Sequence, residues 1–224
     1  LGVIMGRGKL VGLRHYLWFM MGVILVILLI LITVIVSDFV VLIQFILIKN
    51  SWFVHNLGPS SYFVVRLGHV GINLVPVMIN VSILVILILT GRSSLTGLSR
   101  ELPYVVASSV VITLVAVMFY AYIIHDVGNY ELTGSVIFRA QVFEATAVLL
   151  MCSRGRGCPL MRTVTLIYIG VLITGYLNDA FISVMMSRLA PVVGGFGPVD
   201  GLVVYSVLIT LLFASLFLKG IIKV

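Results

Sequence analysis

Six long apolar stretches, separated by short polar ones, make up almost the whole chain. The first runs from about Tyr16 to Ile48 and is broken chiefly by Ser37, Asp38 and Gln44. The others run from about Tyr62 to Thr90, Glu101 to Ile124, Thr133 to Met151, Thr163 to Met186 and Leu202 to Leu218. Roughly 20 apolar residues suffice for one helical bilayer crossing. As a helix the first stretch measures roughly 50 Å, so it tilts or rises above the ~30 Å hydrocarbon core. It is too long for the apolar part of a signal peptide and no small-x-small site follows, so it is expected to remain as a span. The connections carry turn chemistry: Gly and Ser between Gly91 and Arg100, a polar turn from His125 to Glu131, and a Gly-Pro-rich loop from Pro191 to Pro198. Pro103 falls in the first turn expected of the third helix, where proline is tolerated. The pattern predicts an all-α integral membrane protein, a bundle of about six transmembrane helices arranged as three hairpins. Residues 1–224 read as a single membrane domain.

Composition supports lipid as the solvent. The chain is 62% hydrophobic and 9% charged, against about a quarter charged in soluble domains. A net charge of +7 would suggest nucleic acid in a soluble protein, but no basic run is interleaved with exposed aromatics, and no nucleic-acid partner is expected. The cations sort by position instead. Arg7, Lys9, Arg14, Arg92, Arg100, Arg154, Arg156, Arg162, Lys219 and Lys223 lie at one end of the hairpins, and Lys49 and Arg188 at the other, 10 against 2. Arg66 and Arg139 fall inside stretches. The cation-rich side is the cytoplasmic one, which predicts a multi-pass protein of a cell or organelle membrane with both termini in the cytoplasm.

Cys152 and Cys158 lack the further ligand pair a zinc site needs, and a cytoplasmic loop disfavours a disulfide. They read as ordinary free cysteines. A faint repeat is present: Gly58-Pro59 ends seven residues before Arg66, and Gly197-Pro198 ends seven before Tyr205. Repeated hairpins are a transporter device.

The candidate chemistry is the polar content of the spans. Arg66, His69, Asn73, Pro76 and Asn80 follow at steps of three, four, three and four, the seam of one helix face. Polar groups in a span face the bundle interior or water. Pro76 is expected to kink this helix and open its backbone, forming the floor of an outward-open pocket. Arg66 at its mouth would favour anionic or carboxylate-bearing cargo, with Asp38 or Asp179 as resting partner. The fifth stretch has a weaker seam of Thr165, Tyr168, Gly175, Asp179 and Ser183, with Asn178 adjoining. The fourth holds Arg139, Gln141 and Glu144. Arg139 and Glu144, five apart, point about 140° away from each other and each needs a partner elsewhere. Glu144 is the deepest acid, roughly 12 Å from the cytoplasmic end. A carboxyl there suits a proton carrier and equally a plain hydrogen-bonding group.

Asp38, His69 and His125 share a height near the outer face, with Asp126 and Arg66 beside them. They form a weak metal or relay set. A haem lacks its C-x-x-C-H motif, and no cofactor is predicted. H-E-x-x-H, G-x-S-x-G and a complete P-loop are absent from the sequence, so an intramembrane enzyme is the third reading. The first is a small transporter or ion/proton-translocating protein with a polar cavity in the outer half of the bundle, lined by Arg66, His69, Asn73, Asn80, Arg139, Glu144 and Asp179. The second is a non-catalytic subunit, assembled with other membrane subunits or with copies of itself, whose buried charges close on one another.

Overall fold

A computed structural model describes residues 64–67, 70–91, 97–123, 130–154, 158–185, 192–194 and 200–218, together with Ile35, Phe39, Leu42, Ile43 and Ile46. The elements are strands β1 (Val64–Leu67) and β2 (Val70–Asn73), helices α1 (Leu74–Thr90), α2 (Leu98–Ile123), α3 (Tyr130–Arg154) and α4 (Leu160–Met185), strand β3 (Val192–Val193) and helix α5 (Gly201–Leu218). The five isolated residues are helical and exposed, and recur along one helix face. Most of the first predicted span, with Asp38, lies outside the described residues. So do His69 and His125.

The helices alternate in direction. At one end Gly91, closing α1, sits against Met161 at the start of α4. At the same end Arg162 Nη1 pairs with Glu101 Oε1 at 3.2 Å, joining the starts of α4 and α2. At the opposite end Pro76 of α1 packs on Gly194, and Asn80 reaches Leu202 at the start of α5. Helices α2 and α4 therefore run parallel, with α1 and α5 opposed to them. Among the described helices α4 is the hub, packing against α1, α2, α3 and α5.

The second stretch departs from its predicted single helix. Residues 64–67 and 70–73 form an antiparallel pair, Val64 opposite Asn73 and Leu67 opposite Val70. Strand β2 also pairs in parallel with β3, Gly71 opposite Val192 and Ile72 opposite Val193. Val64, Val65, Val70 and Ile72 are β-branched, which suits a pleated surface. The helix begins only at Leu74, with the Asn73 side chain accepting from the Val75 N–H at 3.0 Å as N-cap. Pro76 is consequently the third residue of α1, where its missing N–H leaves no internal helix bond unmade. The expected kink at Pro76 is corrected, and Arg66, Asn73 and Asn80 do not share one helix face. Gly194, at φ +71°, turns the chain after β3 and donates its N–H to Asp179 Oδ2 at 2.9 Å.

Among the described residues two helices are long and apolar enough to cross a membrane, Leu98–Phe119 and Leu160–Met185, and two shorter apolar ones accompany them, Leu74–Thr90 and Gly201–Leu216. Large apolar side chains lie on the outside of two helices, and polar ones lie inside the bundle. Met78, Ile86 and Leu89 of α1, and Val111, Val115 and Met118 of α2, are exposed. Ser109, Thr113, Gln141, Glu144, Thr174, Asn178, Ser206 and Thr210 are buried. An apolar cluster around Val105, Val148, Leu166, Val171 and Ile209 packs among them.

Candidate functional site

Two polar groupings lie inside the bundle. The first centres on Asn80, one and a half turns into α1. Its amide nitrogen donates to Tyr176 Oη at 3.1 Å and to the Leu202 carbonyl at 3.2 Å. Its Oδ1 accepts from Tyr168 Oη at 3.0 Å. Both amide protons are thereby used, and α1, α4 and α5 are tied at one point. Nearby, Asp200 caps α5 by accepting from the Leu202 N–H at 2.9 Å.

The second grouping runs along the α2–α3–α4 interface. Glu144 is fully buried, and its Oε1 accepts from Ser108 Oγ at 2.7 Å. One turn away along α3, Gln141 donates to the Val171 carbonyl at 3.1 Å and to Ser206 Oγ at 3.2 Å. Asn178 donates to Thr113 Oγ1 at 3.2 Å and back to the Thr174 carbonyl at 2.8 Å. Ser109 donates to the Gly170 carbonyl at 3.3 Å. Glycine makes room for these chains. A methyl at Gly170 would come within 2.8 Å of Glu144 Oε1 and 3.0 Å of Val105 Cγ1, and one at Gly175 would overlap the Gln141 amide.

This second grouping is unfinished as a hydrogen-bond network. Glu144 Oε2, Gln141 Oε1, Asn178 Oδ1 and Thr174 Oγ1 are buried and without a hydrogen-bond partner. Three of the four can only accept when Glu144 is ionised. Gly170, Thr174 and Asn178 recur every four residues on α4, so the row extends over roughly 12 Å of helix. Buried polar groups left unpaired are costly and call for an explanation.

The remaining predicted residues are placed as follows. Arg66 lies in β1, with its side chain outside the described residues. Asn73 is the cap of α1. Arg139 is half-buried on α3. Asp179 holds the turn at Gly194. On the α4 seam Thr165, Tyr168, Gly175 and Ser183 are buried and Asp179 is half-buried. Cys152 and Cys158 are free thiols. Among the described residues no three of His, Cys, Asp and Glu gather as metal ligands. Sequence reasoning passed over Ser108, Ser109, Thr113, Thr174 and Ser206. Their signal was present in the i, i+4 spacing of Ser109 with Thr113 and of Thr174 with Asn178. Comparison with protein-family models, with curated proteins and with solved structures yields no match.

Proposed function

We propose that this protein is a small multi-pass membrane protein that moves an ion or proton along the α2–α3–α4 interface. Six crossings with both termini cytoplasmic remain the topology that the alternating helices and the 10-to-2 cation bias favour. The apolar exterior and polar interior support lipid as the surrounding medium, since polar side chains in a span turn away from hydrocarbon. The observation that carries the reading is Glu144. It lies ten residues, roughly 15 Å, from the end of α3, fully buried, with one carboxyl oxygen unpaired. That depth is close to the middle of a ~30 Å hydrocarbon core. Of the residues expected to line a cavity, Glu144 belongs to this path, whereas Asn73 and Asn80 serve as cap and brace.

Cysteine accessibility tests the reading. In a Cys152→Ala, Cys158→Ser background, Ser108→Cys and Thr174→Cys should react with a small water-soluble thiol reagent, while Val115→Cys on the exposed face of α2 stays unreactive in the membrane. A closed, unreactive interface would favour the alternative, a non-catalytic subunit whose buried polar groups only join helices. For topology, Ser94→Cys should label from the cytoplasmic side and Ser51→Cys from the opposite one.

A further inference from the structure

We infer that the cargo of this path is the proton, carried by Glu144 and a file of water molecules between Glu144 and Asn178. The inference rests on the translocation reading above and narrows it to one chemical species.

Three of the four unpaired atoms are acceptors, and their residues are spaced along α3 and α4. Glu144 Oε2, Gln141 Oε1 and Asn178 Oδ1 are fully buried acceptors, and the Thr174 hydroxyl lies between Gly170 and Asn178 on α4. Ser109 stands beside the Glu144 carboxyl; for the remaining acceptors the donor we assign is water, small enough to reach between packed helices. A metal cation needs its oxygen ligands gathered in one shell. Acceptors spread over roughly 12 Å of helix do not gather in that way. Acceptors on α3 and α4 with the Thr174 hydroxyl among them, able both to donate and to accept, suit stepwise proton transfer.

The Ser108 hydroxyl gives Glu144 two satisfied states. Ser108 Oγ lies 2.7 Å from Glu144 Oε1 and 3.0 Å from the Val105 carbonyl, and it has one hydrogen to give. With Glu144 ionised, Ser108 donates to the carboxylate. With Glu144 protonated, the acid donates to Ser108 Oγ, and Ser108 turns its hydrogen to Val105. Uptake moves one proton from a neighbouring hydronium onto the carboxylate, leaving water; release reverses it. Neither state leaves the serine hydrogen without an acceptor. Gln141 and Asn178 do not titrate, so they orient the file and leave the charge to Glu144.

The test uses the full chain in phosphatidylcholine–phosphatidylglycerol vesicles holding a pH-sensitive dye, with a potential imposed by a potassium gradient and valinomycin. Wild-type vesicles should take up protons at least about tenfold faster than empty ones, at equal rates with sodium or choline outside. Glu144→Gln and Asn178→Val should each lose about tenfold or more, and Ser82→Ala, exposed on α1, should match wild type. Should Glu144→Gln fail to fold, Asn178→Val and carbodiimide modification of Glu144 in the wild-type chain carry the same decision: flux that survives them overturns the inference. Uptake that requires sodium overturns it as well. Uptake no faster than in empty vesicles, with Ser108→Cys and Thr174→Cys still reactive, sinks the proton and leaves the water path standing. If neither cysteine reacts, the translocation reading falls with it.

Discussion

Asn80 and Glu144 are both buried polar side chains on apolar helices, and they differ in how their hydrogen bonds close. Asn80 gives both amide protons and accepts a third bond, from partners on α4 and at the start of α5. Glu144 accepts from Ser108 at one oxygen, with Ser109 beside the carboxyl, and its other oxygen closes no hydrogen bond. Gln141 and Asn178 repeat the Glu144 pattern, with every amide proton placed and the carbonyl oxygen left over. Burial alone therefore does not separate a structural joint from a site. The count of donors and acceptors does, because a closed set holds helices together and an open one awaits something small.

The sharpest way to break this comparison is to remove the closed set. Asn80→Leu leaves the Tyr168 and Tyr176 hydroxyls without their Asn80 partner and removes the tie to the Leu202 carbonyl, and should lower unfolding stability in detergent by about 2–4 kcal/mol. A loss no larger than that of Glu144→Gln would erase the distinction between the two regions. Next in size are the spacers. Gly170→Ala and Gly175→Ala press a methyl onto Glu144 and onto the Gln141 amide, and should each cost about 1–3 kcal/mol by overpacking. They should also slow the labelling of Thr174→Cys, a rate readable by mass spectrometry. The smallest effect on stability is expected at the open set. Glu144→Gln keeps an acceptor for Ser108 and should remain within about 1 kcal/mol of wild type in the same unfolding assay. A loss comparable to Asn80→Leu would make Glu144 a brace like Asn80.

The helical bundle and the inward face of α4 were legible because both follow from local periodicity. Apolar runs long enough for a helix need no distant partner to be recognised, and Thr165, Tyr168 and Ser183 share a face by spacing alone. Glu144 stood out for the same reason, as an acid deep in an apolar run. The segment 64–73 was misread because its polar residues happen to follow helical steps, while its Val and Ile residues suit a strand equally well. What settles it is pairing with Val192 and Val193, far along the chain. Sequence by itself determined that the chain is largely helical and that Glu144 lies deep in an apolar run. Only the tertiary structure decided which buried polar groups are satisfied, because Asn80 meets Leu202 across 122 residues and Glu144 meets Ser108 across 36. A hydrogen bond is a property of two atoms at contact distance, and local spacing carries no information about a partner on another helix.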